Sequence, residues 1–123
     1  MSPVGRRVSG EMLSFVLADE IAIVRRELEG ASGRIARTLI KNGPLSVTLV
    51  GVKPGGELKE HVAKGPITIQ VVEGSIELES RGARRVLSAG MLLSLAGGVP
   101  HAVTSTTGAI FLLTLTTGQR SGH

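Results

Sequence analysis

Residues 45–79 read LSVTLVGVKPGGELKEHVAKGPITIQVVEGSIELE. Ser46, Thr48, Val50 and Val52 alternate with Leu45, Val47, Leu49 and Gly51, the two-residue period of a strand whose faces differ. Ile67, Ile69 and Val71 alternate with Thr68, Gln70 and Val72, and Ile76 and Leu78 alternate with Ser75, Glu77 and Glu79. Between these runs stand Pro54-Gly55-Gly56, Gly65-Pro66 and Gly74, residue types that set turns. Downstream, Ala109 to Thr116 is apolar on both faces for most of its length, as a buried central strand requires. Further turn signals fall at Asn42-Gly43-Pro44, Arg81-Gly82, Ala89-Gly90, Gly97-Gly98 and Thr107-Gly108. About eight or nine short strands without intervening helices predict an all-β antiparallel sandwich or barrel.

Upstream of this region the period changes. Leu13, Leu17, Ile21, Val24 and Leu28 step by three or four residues, with Met12, Phe15 and Val16 widening the stripe. That spacing predicts one amphipathic helix from Met12 to Leu28. Ser9 is the expected N-terminal cap and Gly30 the left-handed residue closing the end. The chain thus divides into a helix and linker packed on the barrel (1–33), the β-barrel (34–117) and a flexible tail (118–123).

Composition narrows the chemistry. The chain has 123 residues, 41% hydrophobic and 20% charged, a globular balance with room for one domain. Cysteine is absent, which excludes disulfides, a thiol nucleophile and a thiolate metal site. Tyrosine and tryptophan are absent too, and Phe15 and Phe111 are the only aromatics. A phenolic general acid is therefore excluded, and aromatic base stacking is disfavoured. The net charge of +4 invites a nucleic-acid reading, but the basic residues are scattered as Arg6-Arg7, Arg25-Arg26, Arg34, Arg37, Arg81 and Arg84-Arg85. No run exceeds two, so a solvated surface is expected rather than a phosphate-binding stripe. The longest apolar run, Ala109 to Leu113, falls far short of the ~20 residues of a membrane span. Arg6 and Arg7 before Met12–Ala18 faintly mimic an export signal, but Ser14 interrupts that segment and Asp19 and Glu20 end it. A cytoplasmic protein is expected.

From about Val47 to Leu115 the chain resembles the small single-domain cupins, built on a double-stranded β-helix or jelly roll. One supporting segment is Pro54-Gly55-Gly56, His61 and Val71-Val72-Glu73-Gly74; the other is Ala89-Gly90, Met91 to Leu95 and Gly97-Gly98-Val99-Pro100-His101. The resemblance implies a cupin-type barrel with an N-terminal helix. It also implies a metal centre of three histidines and a glutamate, onto which His61 and His101 fit as the first and last histidines. Ala63 stands in the place of the second histidine and Ile67 in that of the glutamate. Two of the four ligands are thus hydrocarbon, whereas a catalytic zinc or iron takes three protein ligands and an open position. No cofactor is therefore predicted; a divalent metal would have only His61 and His101, since the remaining histidine, His123, stands at the chain end.

Alternation places Lys59, His61 and Ala63 on one face and Leu58, Glu60 and Val62 on the other. In the register implied by the resemblance, the His61 face and Ile67, Ile69 and Val71 point into the barrel, with His101 approaching from the second hairpin. The expected pocket comprises His61, His101, Ala63, Ile67 and Gln70. Gln70 joins it only if a β-bulge turns its amide inward. An apolar cavity with a few convergent polar groups is the usual form of a small-molecule site, and neutral imidazoles there can donate, accept or act as a base. Three functions stay open: a small-molecule-binding cupin of unassigned reaction; a metal-dependent dioxygenase or isomerase with Gln70 or water completing the ligand set; and a non-enzymatic oligomeric or regulatory module. Homodimerisation is expected under each, because the helix offers apolar area that a small barrel leaves uncovered.

Overall fold

The computed structural model describes residues 6–117. One helix, α1 (Leu17–Glu29), precedes eight strands: β1 (Arg34–Asn42), β2 (Leu45–Val52), β3 (Glu57–His61), β4 (Ile67–Ser80), β5 (Ala83–Ser88), β6 (Leu92–Leu95), β7 (His101–Thr104) and β8 (Ala109–Thr116). They form one curled antiparallel sheet in the order β1-β2-β8-β4-β7-β3, and β5 and β6 also pair with β4. This is the all-β jelly roll with an N-terminal helix that the alternation and the resemblance predict. The tail from 118 and His123 lie outside the described residues.

β4 makes the fold. Its first half pairs with β8 and β6, and its second half with β7 and β5. The register shifts between Val71 and Glu73, and such a bulge bends a strand from one wall to another. The alternating runs on either side of Gly74 are therefore one strand; Gly74 is its corner, not a turn between two strands. Ile67, Ile69, Val71, Ile76 and Leu78 all reach the same interior, where they pack with Val50, Val103 and Phe111. β8 runs between β2 and β4, which accounts for its two apolar faces.

Helix α1 covers the outside of the β1-β2-β8 wall. Val24 is buried against Leu39, Leu49 and Ile110, with Phe15, Ile21 and Val72 around them. A Cβ on Gly51 would lie 2.9 Å from Val24 Cγ1, so the missing side chain lets the helix sit close. Arg37 donates to Glu20 at 2.7 Å, and Arg25 pairs with Glu73. The helix is shorter than its stripe predicts: it begins at Leu17, with Val16 as N-cap and no side-chain cap. Ser9 does not cap it. The preceding segment is held to β1 instead: Lys41 N–H donates to Val8 O at 2.6 Å, and Asn42 and Gly10 exchange two hydrogen bonds. These tertiary bonds override the helical spacing of Met12 to Val16. Gly30 ends the helix at φ −94° rather than in the left-handed region. Among the exposed apolar side chains are Met12, Val16 and Leu17. No helix among the described residues is long and apolar enough to cross a membrane.

Candidate functional site

His61 ends β3 and His101 begins β7, and the two residues are register partners. Their rings meet edge to face, with centroids 4.2 Å apart and planes at 61°. Alternation does not explain this pairing. Glu57 pairs with Thr104 and Leu58 with Val103, but the register shifts before His61. The bulge places Leu58 on the interior, against the core, and still sets His61 opposite His101. The predicted face of Lys59, His61 and Ala63 is thus broken, and Leu58 moves to the inner side. No sequence signal marks the bulge, because residues 57–63 fit unbroken alternation equally well.

Each imidazole is oriented by its own chain. His61 Nδ1 lies 2.9 Å from Lys59 O, and His101 Nδ1 lies 3.0 Å from Val99 O. A carbonyl oxygen only accepts, so each Nδ1 carries the hydrogen. In the neutral ring each Nε2 then keeps a lone pair and can accept a hydrogen bond. His101 is buried at 2% exposure, whereas His61, on the end strand, is exposed.

The terminal strands β1 and β3 are not paired with each other, and the gap between them opens beside His61. One cleft there, of about 560 Å³, is lined by Arg34, Glu57, Leu58, Lys59 and His61. Arg34 Nη1 crosses the gap to donate to Glu57 O at 3.3 Å. A second cavity, of about 620 Å³, shares Arg34 and Leu58 and extends along Ala36, Thr38, Thr48, Val50, Leu113 and Leu115. Arg34 and Leu58 therefore join an imidazole mouth to a hydrocarbon-floored interior. The expected set of pocket residues omits Arg34. The alternation of Arg34, Ala36 and Thr38 against the bulkier apolar Ile35 and Leu39 carries that signal, since Ile35 and Leu39 pack on the helix side.

Of the expected pocket residues His61 alone lines these two cavities; His101 is buried and reaches the mouth through its ring contact with His61. Gln70 is exposed, stands opposite Leu92 and Leu112, and points away from the interior held by Ile69 and Val71; the bulge that would turn it inward comes after it, at Val71. Ile67 is buried at 3% in the core. Ala63 is half-buried, packs against the core and lines a separate cleft with Lys64, Leu115 and Thr116. Among the described residues no group of three or more His, Cys, Asp or Glu side chains converges. Two imidazoles, without Gln70, do not fit a four-ligand metal centre.

An antiparallel barrel closed around one long bent strand, with paired imidazoles at an open seam, defines a double-stranded β-helix protein. The family model described as Cupin domain matches residues 48–116, more than half the chain, and the chain belongs to that family. Solved structures share the fold. A Cupin 2 conserved barrel domain protein from Salinispora arenicola is 28% identical, with 66% of this chain and 73% of that one covered and a TM-score of 0.60. An RmlC-like cupin from Shewanella frigidimarina is 24% identical (73% and 81% covered, TM-score 0.66). A cupin superfamily protein from Desulfitobacterium hafniense is 13% identical (71% and 82% covered, TM-score 0.68). No curated protein matches the sequence.

Proposed function

We propose that this cupin binds a small amphipathic molecule across the β1–β3 seam. The polar end meets His61, backed by the His101 ring, and Arg34, and the apolar end lies along Leu58, Val50 and Leu113. The observation that carries this reading is the orientation of the two rings. Both Nδ1 hydrogens are engaged by backbone carbonyls, so in the neutral rings both Nε2 atoms keep lone pairs, and that of His61, which lines the cleft, accepts from a hydroxyl or amine of the ligand. Arg34 supplies a permanent cation at the same mouth, which suits a carboxylate on the same molecule. The cleft volumes fall within the usual range for small-molecule sites. No catalytic step is assigned to the pair.

Native mass spectrometry of the protein after incubation with a metabolite mixture tests the proposal. A small-molecule adduct is expected on the wild-type protein and is expected to be lost in His61→Ala and Arg34→Ala. Equal adducts on all three proteins, or none on the wild type, would overturn it.

A further inference from the structure

The barrel has a second seam. β5 and β6 each pair with β4 but not with each other. Both lie across β4 from its other partners, β7 and β8: Leu78 pairs with Arg85 on one side and Val103 on the other, and Ile67 with Leu95 on one side and Leu115 on the other. The gap between β5 and β6 holds a cleft of about 340 Å³. Its apolar part is Leu78, Leu93 and Leu95, and its rim carries Arg81, Arg85 and Ser94.

Arg81 is there at a conformational cost. Arg81 and Gly82 form the two-residue connection closing the Ser80–Ala83 pair, with φ +50° and +80°. This is the left-handed pair of a type I′ hairpin, which favours Asn-Gly, Asp-Gly or Gly-Gly. Arg81 is the one non-glycine among the described residues with positive φ, and a side chain held there is strained. Arg85 is unusual in another way. Opposite Leu78, it occupies an inward position of its strand, where Leu87 is buried one step along. Its Nη1 donates to Arg84 O at 3.0 Å. Among the described residues neither Arg81 nor Arg85 has a carboxylate partner; the neighbouring Arg84 takes Glu77 at 2.5 Å.

We infer that the β5–β6 seam is a second ligand site, which binds an organic anion: a carboxylate or phosphate group on a short hydrocarbon body. The oxyanion sits between the Arg81 and Arg85 guanidiniums, whose planar donor sets match it, and the hydrocarbon lies on the three leucines. The turn accepts a strained arginine because the guanidinium is needed at that rim.

Backbone amide NMR titration tests this with octanoate, octyl phosphate, octanol and inorganic phosphate as probes. Octanoate or octyl phosphate is expected to shift the amides of Ala83, Arg85, Ser94 and Leu95, and a preference between them identifies the head group. Octanol and inorganic phosphate are each expected to bind at least about tenfold more weakly, since each lacks half of the complement. Arg81→Asn is expected to raise the melting temperature by about 4 °C, as the turn relaxes, and to lose at least about tenfold in affinity. Arg85→Gln, which leaves the turn alone, is expected to lose affinity similarly, and His61→Ala to retain these shifts. Unchanged octanoate binding in R81N and R85Q would make the arginines mere guards against strand pairing and overturn the site. Equal binding of inorganic phosphate would overturn the hydrocarbon part of the assignment.

Discussion

Gly74 lies against the carbonyl of Gly108 so closely that a Cβ on it would come within 2.0 Å of that oxygen. Its φ of +74° adds a second reason for the missing side chain. The contact joins the corner of β4 to the entry of β8, where Gly74 pairs with Ala109. Gly74→Ala is therefore expected to destabilise the barrel by about 3 kcal/mol or more, because backbone must move on both strands. Urea unfolding measures this; a loss below about 1 kcal/mol would show that the corner yields freely.

The two ion pairs that fasten the helix differ in exposure, and their removal should differ accordingly. Arg25 and Glu73 have side chains 55% and 39% exposed, while those of Arg37 and Glu20 are 15% and 16% exposed. Hydrogen bonding to Glu73, then its charge, raises the Arg25 pKa above its ordinary value. A raised basic pKa contributes stability below the unfolded value and loses it only as pH rises through the folded one. From the arginine side, then, the pair is constant across the neutral range. Arg25→Ala is expected to leave thermal stability essentially unchanged at physiological salt. Arg37→Ala is expected to cost about 1–3 kcal/mol, because it leaves Glu20 half-buried without its donor. Equal losses in the two variants would contradict this ranking.

The fold was legible because alternation and turn chemistry agree along most of β2, β4 and β8. Each inward residue of β4, from Ile67 to Leu78, is buried, as its spacing predicts. What sequence could not show is where a bulge resets the faces. The shift between Leu58 and His61 leaves no trace in residue type, and the one between Val71 and Glu73 shows only as a change of parity from Ile67, Ile69 and Val71 to Ile76 and Leu78. The first moved Leu58 inward; the second came too late to turn Gln70. The helix starts later than its periodicity predicts for a related reason: the hydrogen bonds that join Val8 and Gly10 to β1 are tertiary, and local periodicity carries no information on them. The two histidines could be matched by resemblance, but their tautomers and the role of Arg34 required coordinates.

Ser105 follows β7 and closes the barrel against the turn that enters β3. Exposed by only 1%, its Oγ donates to Ser75 O at 2.7 Å and accepts from Gly108 N–H at 2.9 Å. Its backbone binds the Pro54–Gly56 turn on both sides: Gly55 N–H donates to Ser105 O, and Ser105 N–H to Gly56 O. Ser105→Ala removes two partners at once and leaves an orphaned donor and acceptor. A loss of about 2–3 kcal/mol is expected, with faster amide exchange at Gly108 as the local signature. An unchanged Gly108 exchange rate would mean that water replaces the hydroxyl without cost.

His61 and His101 should separate binding from stability. His101 is buried and its Nδ1–H satisfies Val99 O, so His101→Ala opens a cavity and strands a carbonyl. A destabilisation of about 2–4 kcal/mol is expected. His61 is exposed on an end strand, and the carbonyl it serves, Lys59 O, belongs to an exposed residue. His61→Ala is therefore expected to cost less than about 1 kcal/mol, while it removes one of the two Nε2 acceptors and with it the adduct seen by native mass spectrometry. His61→Gln keeps a hydrogen-bonding side chain and is expected to restore part of that adduct, which His61→Leu is not. If His61→Leu binds as well as the wild type, the ring serves packing alone and the seam needs no acceptor there.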